Sequence, residues 1–272
     1  MNHHALQRCS VLGVNLAVTD YAGALAAVDA AVRARACLRV HFTNVHVTMV
    51  AQRDAALRAA LNHPDALTLP DGMPLVWAMR ALGCAIRTRV YGPDFFDQCL
   101  ARSEATGHRH YFLGGTEETL RLLQETLRAR FPRLDIAGAF SPPFRPLRAE
   151  ETQAIADRIN AGGADILWVG LGAPKQEKWI AEMAGRLSVP VCAAVGAAFD
   201  FHAGTVKQAP DWMQDRGLEW LYRLVQEPRR LWFRYGYYNP MFVLRFSWQW
   251  LRWRLRGRAA RTAGSADRAA GR

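Results

Sequence analysis

Apolar residues in this chain of 272 residues follow two alternating rhythms. Short runs rich in β-branched residues predict strands at Arg39–Thr43, Ala66–Leu69, Ile86–Val90, His110–Leu113, Asp135–Ala139, Asp165–Leu171 and Val189–Val195. Between them, apolar side chains at helical spacing predict helices over Ala22–Arg35, Asp54–Leu61, Pro74–Leu82, Thr116–Arg130, Ala149–Asn160 and Lys175–Arg186. Alternating strands and helices imply an α/β fold, a parallel sheet with helices on both faces. Ligands on such sheets gather at the carboxyl ends of the strands. The polar and glycine pairs fall just there: Thr43-Asn44, Asp71-Gly72, Tyr91-Gly92, Gly114-Gly115, Gly170-Leu171-Gly172 and Gly196. Residues 1–204 are therefore read as an α/β catalytic domain.

After Gly204 the pattern changes. "RGLEWLYRLVQEPRRLWFRYGYYNP" reads as helix, interrupted at Pro228 and dense in arginine and aromatics. In "MFVLRFSWQWLRWRLRGR", Arg245, Gln249, Arg252 and Arg256 form one polar stripe, with Leu244, Trp248, Leu251 and Leu255 beside it. Residues 205–258 are read as a basic, aromatic, helical appendage. The small polar residues 259–272 are read as a disordered tail.

Charge sharpens this division. The formal net charge is +11. Between Arg216 and Arg261, eleven arginines face only Glu219 and Glu227, whereas residues 1–215 are close to neutral. Arginine interleaved with Trp220, Trp232, Trp248, Trp250 and Trp253 points to a polyanion or an anionic membrane surface. No apolar run approaches the ~18 residues of a membrane span. The N-terminus, with His3, His4 and Arg8, lacks an apolar signal core, so export is not expected. Cys9, Cys37, Cys84, Cys99 and Cys192 match no metal or CxxC spacing and read as buried reduced thiols.

Four features carry candidate chemistry. The loop Gly170–Pro174 leads into Lys175-Gln176-Glu177. Glycines there permit close backbone approach, and a helix start offers unpaired N–H groups to a phosphate. The bland alternative is a structural turn, with Gln176 and Glu177 as solvated first-turn residues. The loop is neither a Walker loop nor a dinucleotide fingerprint, since Lys175 stands at the last glycine position of GxGxxG. Asp71 is either a general base at the sheet edge or a plain turn or N-cap residue. Thr43 and Asn44 satisfy loose backbone groups or hydrogen-bond a sugar. Finally, no DxD or HExxH occurs, and only His108 and His110 come near ligand spacing. A departing diphosphate would then be met by Arg89, Arg223, Arg229, Arg230 and Arg234 rather than by a metal ion.

Six segments in order, "LPDGMPLVW" (69–77), "RVYGPDFF" (89–96), "YFLGGTEETL" (111–120), "WVGLGAPKQEKWI" (168–180), "VGAAFDFHAG" (195–204) and "GLEWLYRLVQEPRRLWFRY" (217–235), resemble the WecB/TagA/CpsF glycosyltransferase family. The resemblance implies a Rossmann-like sheet of the GT-E type and an inverting glycosyltransferase. It implies transfer of an N-acetylhexosamine-type sugar from a UDP-sugar to a polyprenyl-diphosphate-linked sugar, without metal or other cofactor. The expected setting is the cytoplasmic face of a bacterial membrane, in surface or exopolysaccharide assembly. The family's catalytic aspartate falls on Asp71 and its strand-end polar pair on Thr43 and Asn44, which are adjacent here. The PxQE motif falls on Pro174 and Gln176. The arginine of EWLYR falls on Arg223 and that of the basic cluster on Arg230, with Arg234 standing in for a third. Gln208-Ala209-Pro210 replaces the family's usual RAP. Gly114, Gly170, Gly172 and Arg89 complete the expected substrate-binding set. Expected partners are the two substrates and the membrane surface, with a homo-oligomer left open and nucleic acid not expected. A nicotinamide-dependent enzyme, or a nucleic-acid-binding module built on the basic tail, are the alternatives.

Overall fold

The computed structural model describes residues 6–270, without the side chains of Asp211, Asp215, Arg230 and residues 256–270. In chain order the elements are β1 (Arg8–Val11), β2 (Val14–Ala17), α1 (Tyr21–Ala34), β3 (Leu38–Thr43), α2 (Val45–Ala51), α3 (Ala55–Leu61), β4 (Ala66–Pro70) and α4 (Met73–Ala81). They continue as α5 (Gly92–Thr106), β5 (Arg109–Gly114), α6 (Glu117–Arg130), β6 (Asp135–Phe140), α7 (Ala149–Gly162), β7 (Ile166–Gly170), α8 (Lys175–Met183), β8 (Val191–Ala194) and α9 (Ala198–His202). The appendage contains α10 (Asp211–Asp215), α11 (Glu219–Gln226) and α12 (Pro228–Ala270). Helix starts carry the expected chemistry: Asp20, Asn44, Asp54 and Thr116 cap α1, α2, α3 and α6 through side-chain oxygens. Gly107 and Gly163 end α5 and α7 in the left-handed conformation.

Six strands form one parallel sheet, in the order β4-β3-β8-β7-β5-β6. Side-chain alternation sorts its two faces. Phe112, Ile166, Trp168, Val191 and Ala193 pack with α1, α5, α6 and α9. Their neighbours Tyr111, Leu113, Leu167, Val169, Cys192 and Ala194 pack with α7 and α8. A third apolar cluster joins the β1–β2 hairpin to α2, α4 and Phe242 of α12. This is the doubly covered α/β sheet that the periodicity predicts.

The strand expected at Ile86–Val90 does not form. The segment alternates in sequence, but its carbonyls are taken by a side chain: Arg80 Nε donates to Ile86 O at 2.9 Å, and Arg80 also reaches Arg87 O. Only Val90 N bonds the end of β4, at Pro70 O, 2.9 Å. Conversely, the hairpin β1–β2 went unforeseen. Its turn is Leu12-Gly13, both at positive φ (49° and 77°), without the Asn-Gly or Asp-Gly signal of such turns. Cys9, Cys99 and Cys192 are buried as expected, but Cys37 is exposed. Burial pushes the Cys9 and Cys192 thiols up to about 12.

α12 lies against the body along one side. Tyr238, Met241, Phe242 and Phe246 pack on the hairpin cluster. Gln249 does not belong to a solvent-facing stripe: its Oε1 accepts from Leu12 N at 2.8 Å and its Nε2 donates to Ser10 O at 2.8 Å. The neighbouring stripe is left outward, with Leu244, Trp248, Leu251 and Leu255 exposed at 67%, 63%, 43% and 55%. Among the described residues, no helix is long and apolar enough to cross a membrane. The tail expected to be disordered, 259–272, continues α12 as far as Ala270, and residues 271–272 lie outside the described residues.

Candidate active site

Two cavities meet above the carboxyl ends of the strands. The larger, about 700 Å³, is lined by the loops after β5, β7 and β8 and by Arg223, Arg234 and Phe233 of the appendage. The smaller, about 90 Å³, lies between Met73 and Pro74 of α4 and Trp220 of α11. Asn44, His46, Asp71, Arg223 and Arg234 line both.

Asp71 is therefore at the junction. It follows β4, with its N–H bonded to Thr43 O at 2.8 Å. Gly72, not Asp71, is the N-cap of α4. The carboxylate instead accepts from Gly92 N at 2.9 Å, across the chain. The simple turn or N-cap reading thus leaves this contact unexplained. Burial, then the nearby Glu219 charge, raise the Asp71 pKa above the ordinary carboxylate range; the Gly92 N–H, Arg89 and Arg223 oppose them.

The strand-end pair divides. Asn44 Oδ1 accepts from Val47 N at 3.2 Å as the cap of α2, lies 3.5 Å from Arg234 Nη2, and lines both cavities. Thr43 is fully buried, lines neither cavity, and its Oγ1 has no hydrogen-bond partner. Strand alternation explains the difference: adjacent residues point to opposite sides.

The glycines divide too. A Cβ on Gly114 would sit 2.5 Å from Gly170 O, so Gly114 serves the close approach of β5 to β7 and does not line the cavity. Its neighbour Gly115, with Thr116, does. Gly170 lines the cavity and also makes room for Phe199, 2.6 Å from a Cβ built there. Gly172, at φ 78°, has open space around it.

Gln176 is 3% exposed, and its amide is engaged internally. Its Oε1 accepts from Gly172 N at 3.2 Å and Gly196 N at 3.1 Å, and its Nε2 donates to Glu177 Oε1 at 3.1 Å. It ties the loop after β7 to the loop after β8. Glu177 is not the solvated first-turn residue considered from sequence: it is fully buried, and burial pushes its carboxyl up to about 7. Pro174 is the N-cap residue of α8.

Of the arginines, Arg223 and Arg234 reach both cavities. Arg89 lines only the smaller, and its charge is met by Glu219 at 2.9 Å. The side chain of Arg230 lies outside the described residues. His46, which faces Tyr238, is held down to about 4 by burial and by Arg234. The two histidines at near-ligand spacing are engaged separately: His108 with Asp29 at 3.0 Å, and His110 with the Trp168 indole at 2.9 Å. Among the described residues, no group of three or more His, Cys, Asp or Glu side chains is placed to hold a metal ion.

Residues 9–256 match the Glycosyl transferase WecG/TagA/CpsF family. The chain is also similar to the N-acetylglucosaminyldiphosphoundecaprenol N-acetyl-beta-D-mannosaminyltransferase of Bacillus spizizenii. The two are 30% identical over 187 residues, 69% of this chain and 70% of the relative.

Proposed function

Because the chain belongs to the WecG/TagA/CpsF glycosyltransferase family, and so is a glycosyltransferase of surface-polymer assembly, we propose how its two cavities divide the reaction. The larger binds a UDP-sugar of the N-acetylhexosamine type. The smaller admits the sugar hydroxyl of a polyprenyl-diphosphate-linked acceptor, as the name of the Bacillus relative suggests. The observation that carries the reading is Asp71, a carboxylate of raised pKa held by one backbone N–H where the cavities join.

The acceptor oxygen attacks the anomeric carbon and passes its proton to the free oxygen of Asp71. The bond from that carbon to the donor phosphate breaks, UDP leaves with the electron pair, and the configuration inverts. A raised pKa makes the Asp71 carboxylate a stronger base. The leaving diphosphate is met by Arg223 and Arg234, which line the larger cavity together with the glycine loops, and by Arg230 on the helix of Arg234. With this arginine set in place, transfer proceeds without a divalent ion. Gln176 contributes by fixing the loops, and Asn44 by orienting the sugar. The exposed stripe Leu244-Trp248-Leu251-Leu255, flanked by Arg252 and Arg254, rests on the anionic cytoplasmic leaflet that carries the acceptor.

The test is a panel of UDP-sugars with a polyprenyl-diphosphate N-acetylglucosamine acceptor, followed by UDP release with EDTA or with Mg²⁺. Acceptor-dependent release, equal in both, is expected. No acceptor-dependent release from any UDP-sugar defeats the reading, and a strict Mg²⁺ requirement defeats its metal-free form.

A further inference from the structure

The segment between α4 and α5 passes under the junction of the cavities, and its two sides are held differently. Its backbone holds the acid: Gly92 N donates to Asp71, Val90 N to Pro70 O, and Tyr91 N to Tyr21 Oη at 3.1 Å. Gly92 is pressed so near Phe42 that an added Cβ would lie 3.3 Å from the ring. Its side chains, by contrast, leave for the appendage. Arg89 Nη1 lies 2.9 Å from Glu219 Oε2, and Tyr91 Oη donates to Glu219 Oε1 at 2.6 Å. Arg89 Nη2 donates to Gln214 Oε1 at 3.0 Å, and Gln214 Nε2 to Ala209 O at 2.8 Å. The guanidinium also stacks over the Tyr91 ring at 4.3 Å. The pair is nearly dry, with Arg89 and Glu219 side chains 11% and 12% exposed.

One carboxylate on α11 thus grips both residues that bracket the approach to Gly92. Glu219 lines the smaller cavity, but both its oxygens are engaged by Arg89 and Tyr91, and the proposed reaction gives it no proton to carry. A negative group beside a base that is already costly to ionise therefore calls for a reason.

We propose that Glu219 is a positioning residue: from the docked α11 it fixes the loop that presents Gly92 to Asp71, and it sets the charge beside that base. The base is then complete only when the appendage is in place. This rests on reading Asp71 as the base.

The charges support the assignment. Glu219 neutralises Arg89, which otherwise would stabilise the Asp71 carboxylate and weaken it as a base, and its own charge adds to the effect of burial. From the other elements, Arg223 of α11 and Arg234 of α12 bring positive charge. His46 of α2 is neutral at its depressed pKa of about 4. Burial keeps Tyr91 and Tyr235 protonated, and raises Asp94 at the start of α5. Among these neighbours Glu219 is the acid placed on the appendage.

The test uses the full chain with donor and lipid acceptor, and compares Glu219→Gln, Glu219→Asp and Tyr91→Phe. In Glu219→Gln the acid limb of the kcat profile should move down by about one pH unit, as loss of a like charge requires. The plateau should fall several-fold and UDP affinity should change little. Glu219→Asp should restore the acid limb in part. Tyr91→Phe, which leaves every charge in place, should lower kcat without moving the limb. An unmoved limb in Glu219→Gln, or a loss confined to donor KM, overturns the proposal. If Glu219→Gln fails to fold, a limb in Glu219→Asp identical to the parent's, with kcat also unchanged, does the same. Asp71→Asn run alongside separates the two readings: if it turns over normally the base assignment has failed, whereas a dead Asp71→Asn with an unmoved Glu219→Gln limb sinks the Glu219 proposal alone.

Discussion

The α/β body and the helical appendage use the same apolar residues to opposite ends. In the body, the inner strands of the sheet are buried on both faces, and chemistry collects where they stop. In α11 no residue is buried, and in the described part of α12 the buried side chains are Leu231 and Phe242. Trp220, Val225, Trp232, Trp248 and Trp253 stay exposed. The body supplies the acid, the caps and the glycine loops, whereas the appendage supplies positive charge and an apolar outer surface. A site divided in this way can be damaged separately from either side.

The largest expected effect lies in the body. Asp71→Asn should cut turnover by about 10²–10⁴, the usual worth of a general base, with UDP affinity nearly intact. Single-turnover UDP release measures the first and calorimetry the second. Near-normal turnover would leave the body without its acid and erase the division.

From the appendage, Arg223→Ala should lower kcat/KM by roughly 10–100-fold by removing a cation from the leaving diphosphate. Here UDP affinity should fall as well, which distinguishes it from the body variant. Replacing Leu244, Trp248, Leu251 and Leu255 together by serine should reduce flotation with anionic vesicles by about tenfold, given the apolar area withdrawn. Activity on a short-chain soluble acceptor should persist. This variant is sharper than truncation, because it leaves the Gln249 contacts in place. If flotation is unchanged, the exposed stripe does not meet lipid.

The smallest effect is on stability. The folded pKa of Asp71 is raised, so the native state keeps a proton that the unfolded chain has lost. Stability therefore falls as pH rises from the unfolded carboxylate value, about 3.9, through the folded one. Asp71→Asn should melt higher than the parent at neutral pH, by about 2–4 °C per kcal/mol of relieved charge burial. The gap should close near pH 3. Equal melting temperatures throughout would mean the carboxylate is not strained by its surroundings.

The same division governs what could be read from sequence. Short β-branched runs place β3–β8 to within a few residues, because burial on both faces of the inner strands leaves a plain signal. The rim was harder. The motifs single out Asp71, Asn44, Arg223 and Arg234, which line both cavities, but also Thr43 and Gly114, which line neither although their neighbours do. One residue of register decides that, and sequence does not print it. Ile86–Val90 mimicked a strand, although its carbonyls go to the Arg80 side chain. Glu219 stands out in sequence only as an acid among arginines; its pairing with Arg89, 130 residues away, leaves no local pattern. The hairpin was missed because Leu12-Gly13 adopts its turn without the usual turn residues.

That hairpin has a further consequence, for the order of synthesis. Its tip is finished by Gln249, which lies 237 residues beyond Leu12. At roughly 5–20 residues per second, a ribosome needs roughly 10–50 s to make the chain between them. Ser10 and Leu12 therefore wait for these two hydrogen bonds until the chain through residue 249 has been made. Gln52 and Asn62 can bond the Leu12 and Gly13 carbonyls much earlier, so the hairpin tip is tied down in two stages, and a chain stopped before residue 249 never completes the second.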